Sequence, residues 1–120
     1  MNIETNIARI ALALLLLAVA PMLWAHAEVT ETWPETGASV EGSPEVLGIA
    51  FNEEMRLTLF EVTGPAGTEP LETDPDREAA TTFQFVPAEE LVAGDYTVNW
   101  RGLAADGHLM SGRFEFTVDD

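Results

Sequence analysis

Two alternating runs near the end of the chain limit its fold more than anything else in its 120 residues. In the first, Tyr96, Val98 and Trp100 point one way and Thr97, Asn99 and Arg101 the other. In the second, Phe114, Phe116 and Val118 oppose Arg113, Glu115 and Thr117. A period of two places successive side chains on opposite faces of a strand, whereas a helix repeats every 3.6 residues. The two runs therefore predict half-buried antiparallel pairing, with one face on a core and the other in water.

The same style of pattern continues upstream, and no long stretch has a helical apolar period. Val29-Thr30-Glu31-Thr32-Trp33 alternates, with Val29 and Trp33 on one face, and Pro34 ends it. Residues 35–39 read as a turn. Residues 46–51 read as a buried strand with Leu47, Ile49 and Phe51 aligned, while Gly48 and Ala50 leave the other face thin. Residues 57–62 read as the next strand, and the shift of apolar parity between Leu59 and Phe60 predicts a bulge. A turn at 64–67 and an acidic, exposed loop or ragged edge over 69–80 precede a short strand carrying Phe83 and Phe85. Leu91-Val92-Ala93-Gly94-Asp95-Tyr96 has the pattern of a tyrosine corner, in which the phenol bonds back to upstream backbone. Val98 stands where an antibody-type domain has cysteine. About seven short strands and one corner predict an all-β, immunoglobulin-like Greek-key β-sandwich forming a single domain.

The N-terminal part reads as an export signal. Residues 10–20 form an apolar run too short for a bilayer-spanning helix of roughly 20 residues. Arg9 precedes it, Pro21 breaks it, and small residues follow. The predicted division is a cleaved signal over residues 1–25 and a mature domain over 26–120. Cutting after Ala25 makes His26 the first mature residue. Ala25-His26-Ala27 is also an A-x-A signal, and local pattern slightly favours a cut after Ala27, which would discard the histidine.

Charge and cysteine content narrow the function. Residues 26–120 hold 20 acidic residues against four arginines and no lysine, a net charge of −16. That balance argues against binding to nucleic acid or anionic lipid through a basic patch. Cysteine is absent, which removes disulfides, thiolate metal sites and cysteine nucleophiles. Gly-x-Ser-x-Gly is absent as well, so a serine hydrolase has no support.

Only two histidines remain, His26 and His108. In Ala105-Asp106-Gly107-His108 the carboxylate and imidazole stand at i and i+2, and in an extended segment they point the same way. Asp-Gly between alternating runs is equally a hairpin turn, with His108 a solvent-facing neighbour. An N-terminal His26 adds an α-amine and a ring nitrogen. Together His26, Asp106 and His108 make three nitrogens and one oxygen, a set that suits tetragonal Cu(II). Zn²⁺ accepts the same groups but prefers a tetrahedron.

With these residues in place, the chain resembles the CopC-type periplasmic copper-binding proteins over nearly all of residues 26–120. The resemblance rests on His26 after the signal, Pro34 and Gly37 after the first strand, and Phe51-Asn52-Glu53. Its strongest part is the ordered set of residues 93–101, 105–108 and 111–118. It implies a cupredoxin-like Greek-key barrel or sandwich, one Cu(II) per chain, and a site formed by His26 through amine and ring with Asp106 and His108. It also favours the cut after Ala25. Many members have proline after the second histidine, where Leu109 stands here, and many begin His-x-His, where residue 28 is Glu28. Some carry a methionine-rich Cu(I) site, whereas residues 26–120 hold only Met55 and Met110.

The expectation is a periplasmic copper carrier or buffer in copper homeostasis or resistance, not an enzyme. It would be soluble and monomeric once processed, and any CopD-type inner-membrane partner would be a separate chain. The rival readings are an oxidative copper enzyme of the histidine-brace type and a metal-free β-sandwich interaction domain.

Overall fold

A computed structural model describes residues 27–120, all of them strand, turn or loop. The predicted signal over residues 1–25 and His26 lie outside the described residues. Seven strands run in the order β1 (Val29–Trp33), β2 (Ser39–Glu41), β3 (Leu47–Gly64), β4 (Gly67–Glu69), β5 (Ala79–Phe85), β6 (Gly94–Ala104) and β7 (Leu109–Asp119). The all-β Greek-key expectation holds. The hydrogen-bonded path is β1-β3-β6-β7-β2, with β4 and β5 also on β3.

One difference from the sequence reading explains the architecture. The runs at 46–51 and 57–62 are not two strands but the halves of β3, 18 residues long. Its first half pairs with β1 on one edge and β5 on the other, from Leu47↔Phe85 and Ile49↔Phe83 to Val29↔Phe51. Its second half pairs with β6, from Met55↔Ala104 to Thr63↔Thr97, and with β4. The exposed polar residues Asn52, Glu53 and Glu54 join the halves. β3 thus passes from one layer to the other, and the sheet curls over its own core.

Aromatic contacts close the curl. Phe51 in the first half of β3 meets Trp100 of β6 edge-on, centroids 5.1 Å apart. Phe85 of β5 stacks on Phe60 in the second half of β3 at 4.5 Å. Tyr96 and Phe116 stack across β6 and β7 at 5.3 Å. These pairs add directional attraction to ordinary area burial. The predicted inward rows are buried: Tyr96, Val98 and Trp100 on β6, and Phe114, Phe116 and Val118 on β7.

Local differences have physical causes. The parity shift in β3 is a register irregularity between Leu57 and Leu59, slightly earlier than its sequence position suggested. Val29 does not share an inward face with Trp33; a second irregularity between Val29 and Glu31 turns it outward, and Thr32 is buried instead. The other face of residues 47–51 is not left thin. Trp33 and the Phe83 backbone cover Gly48 so closely that a Cβ there would lie 2.8 Å from each. Strand β2 was not anticipated: three residues lie parallel along β7, Ser39↔Thr117 to Glu41↔Asp119.

The tyrosine corner is present. The Tyr96 hydroxyl donates to the Val92 carbonyl at 2.6 Å. Burial, then the nearby Glu69 carboxylate, hold the phenol's ionisation above its ordinary value, which keeps it a donor. Tyr96→Phe keeps the ring stack but removes this bond. Urea unfolding is expected to show a loss of about 1–2 kcal/mol, with the native circular dichroism spectrum unchanged.

Candidate metal centre

The turn joining β6 to β7 carries both described candidates. Ala104 N–H donates to the His108 carbonyl at 2.9 Å, and Gly107 N–H donates to the Ala104 carbonyl at 2.9 Å. Gly107 adopts φ +90°, a conformation that favours glycine. This is a three-residue hairpin loop with glycine at the left-handed position. The turn reading of Asp106-Gly107 is therefore correct, and the turn itself brings Asp106 and His108 together.

Strand alternation is not what directs Asp106 and His108 toward each other. Asp106 Oδ1 accepts the backbone N–H of His108 at 3.0 Å, and Asp106 Oδ2 lies 2.8 Å from His108 Nδ1. The carboxylate spans its own turn and grips the imidazole from beside it. These two hydrogen bonds, the backbone one first, hold the Asp106 carboxyl below its ordinary range. An ionised carboxylate only accepts, so Nδ1 carries the proton and Nε2 keeps a free lone pair. The side chains are 64% exposed for His108 and 47% for Asp106, so that lone pair is open to solvent. A carboxylate on one ring nitrogen is the arrangement that orients metal-binding histidines and raises their basicity.

His26 lies outside the described residues, which begin at Ala27. Ala27 is buried in the core cluster that includes Met55 and Ala104. Glu28 N–H donates to Asn52 Oδ1 at 2.7 Å, and Asn52 N–H returns a bond to the Glu28 carbonyl at 3.0 Å. Three residues beyond Asn52, Met55 pairs with Ala104, where the turn begins. Asn52 is thus the clamp that sequence reasoning missed. Its only signal was a polar side chain directly after the buried run ending at Phe51. Among the described residues, no group of three or more His, Cys, Asp or Glu can hold a metal ion, and Asp106 and His108 stand as a pair. The two methionines of the described residues are occupied in packing: Met55 is buried and Met110 lies against the core.

Comparison with known proteins finds similar sequences and structures. The family model of the CopC domain matches residues 29–119. Protein YobA of Escherichia coli (strain K12) is 35% identical over 116 residues, covering 92% of this chain and 93% of that protein. The crystal structure of PcoC, a methionine-rich copper resistance protein from Escherichia coli, superposes with a TM-score of 0.63 at 28% identity, covering 79% of this chain and 100% of that one. CopC from Methylosinus trichosporium OB3b gives 0.61 at 25% identity over 78% and 94%.

The turn geometry is testable without metal. Asp106→Asn preserves the Oδ1 acceptor, so stability is expected to change by no more than about 0.5 kcal/mol. It removes the ionised acceptor at Nδ1. Nitrogen-15 NMR of the His108 ring should show a clear preference for the Nδ1–H form in the parent protein and a shift toward the other tautomer in the variant.

Proposed function

This chain belongs to the CopC family, and on that premise we propose that it is an exported Cu(II)-binding protein, a carrier or buffer in copper homeostasis or resistance. The mature N-terminal His26 contributes its α-amine and Nδ1, His108 its Nε2, and Asp106 an oxygen. The observation that carries this reading is the Asp106–His108 pair, held by its turn; Glu28 is tied to Asn52, three residues before the Met55 that pairs with Ala104 at the base of that turn. The short turn keeps two donors on one loop and the N-terminal residue brings two more, so little chain freedom is lost on binding; seating Nε2 and an Asp106 oxygen on one ion requires Asp106 Oδ2 to leave His108 Nδ1.

Ala27 supports the cut after Ala25. It is 6% exposed and part of the core, so a mature chain beginning at Glu28 would lose a packed residue as well as His26. A chain beginning at His26 keeps Ala27 in place and leaves one residue of reach before it. The donor set is nitrogen and carboxylate oxygen, which favours Cu(II) over Cu(I). The packed positions of Met55 and Met110 support the same preference, since neither thioether is offered at the turn. One copper per chain, periplasmic location, delivery to a separate CopD-type membrane protein and a non-catalytic role complete the proposal.

The deciding experiment compares the processed protein with a version bearing one added N-terminal Gly. The addition converts the amine of His26 into an amide while leaving both imidazoles and Asp106. The processed protein is expected to show an intact mass beginning at His26, one Cu(II) per chain, and clearly tighter binding than the extended form, with a different electron paramagnetic resonance spectrum. Equal affinities and identical spectra would overturn the N-terminal chelate. Acidification gives a second check. An α-amine ordinarily titrates near 7.7–8.0 and an imidazole near 6.5, and copper displaces the proton from each. Affinity should fall steeply from pH 7 to 5. Asp106, held below the usual carboxylate range, stays ionised across that interval, so the loss belongs to the nitrogens.

A further inference from the structure

The sheet treats the two methionines of the described residues differently. Met55 of β3 pairs with Ala80 of β5 on one side and Ala104 of β6 on the other, and it is 1% exposed. Met110 of β7 pairs with Gly102 of β6. On its other side β2 meets β7 only from Thr117 onward, so among the described residues no strand covers Met110 there. Met110 is half-buried and packs against the core cluster that contains Met55. Gly102 links the two side chains. A Cβ on this glycine would lie 3.0 Å from Met55 Cε, so the Met55 methyl covers the space a side chain would fill. Met110 stands opposite the same glycine on the next strand.

This region is the base of the hairpin that carries His108. Gly102↔Met110 and Leu103↔Leu109 are the last β6–β7 pairs before the turn, and the next bond outward runs from Ala104 N–H to the His108 carbonyl at 2.9 Å. Leu109 is 84% exposed and adds little packing. Met110 is therefore the first residue after the turn whose side chain anchors β7 to the core. A thioether suits that place because it is apolar and adapts to an irregular gap. A sulfoxide does not, because it is polar and chiral. Its oxygen costs free energy against an apolar cluster unless a donor meets it. The side chain must then swing out of the core, or the pair at Gly102 must loosen.

We propose that Met110 is a peroxide-sensitive residue, and that oxidation of its thioether to the sulfoxide loosens the hairpin base that holds the Asp106–His108 turn. The oxidant is hydrogen peroxide. The Met110 sulfur lone pair attacks one peroxide oxygen, the O–O bond breaks and an S–O bond forms. Sulfur gives up two electrons, and the second peroxide oxygen leaves as water with both hydrogens. Peroxide is small enough to reach a half-buried sulfur from the uncovered side of β7. Met55 has a strand on each side and reacts only through rare openings of the sheet. Any consequence for copper rests on the function proposed above, since a loosened turn presents His108 less firmly. The oxidation and its effect on the fold require no metal.

The test treats purified metal-free protein with hydrogen peroxide and follows Met55 and Met110 by peptide mass mapping. Met110 is expected to gain one oxygen at least about tenfold faster than Met55, because a buried sulfur waits for an opening. Protein oxidised only at Met110 should melt about 4–8 °C lower. Nitrogen-15 NMR of its His108 ring should show a weaker preference for the Nδ1–H form. Met110→Leu keeps an apolar side chain of similar volume. It should fold normally, and peroxide should leave its melting temperature and His108 spectrum unchanged. Methionine sulfoxide reductase should restore the parent protein. Oxidation of Met55 as fast as Met110 would overturn the proposal. So would a Met110 sulfoxide with unchanged melting and an unchanged His108 spectrum. Equal peroxide damage in Met110→Leu would overturn it too, since another residue would then carry the effect.

Discussion

Everything in this domain depends on β3 changing layers. Its first half is held between β1 and β5, and its second half between β6 and β4. A strand shared in this way fixes the distance between layers, and Phe51 on Trp100 and Phe85 on Phe60 fill the space so defined. The domain has no disulfide to hold the layers together. Its coherence comes from one continuous backbone crossing the core and from side chains that close-pack on both sides of the crossing.

The crossing also creates the functional end of the molecule. Where β3 leaves β1 and joins β6, Asn52 holds Glu28, and shortly afterwards Met55 meets Ala104 at the mouth of the β6–β7 turn. Two segments distant in sequence are therefore both tied to one short stretch of β3. The Asp106–His108 pair is built by a three-residue loop whose glycine and carboxylate each satisfy backbone groups. The same bonds that make a stable turn orient the His108 imidazole.

Charge acts on a longer scale. The acidic residues are spread over strands, edges and the long loop, whereas Arg56, Arg101 and Arg113 lie on the outer face of three adjacent strands and Arg77 in the loop. Sequence position gives little hint of that grouping, because Arg56, Arg101 and Arg113 come from three different strands. Registry alone brings them into one lattice, and it places that lattice beside the turn bearing His108.

Residue order by itself determined the all-β class, the inward rows of β6 and β7, the tyrosine corner and the Asp-x-His segment. Each of these rests on contacts within a few residues or on a period of two, both visible in a linear chain. The tertiary structure decided that residues 47–64 are one strand, that Val29 faces outward, that β2 lies parallel to β7, and that Asn52 clamps the chain start. It also decided that Asp106 and His108 meet through a turn rather than along a strand. These outcomes depend on which edges pair and in what register. Register is set by packing the whole core at once, so no local pattern carries it.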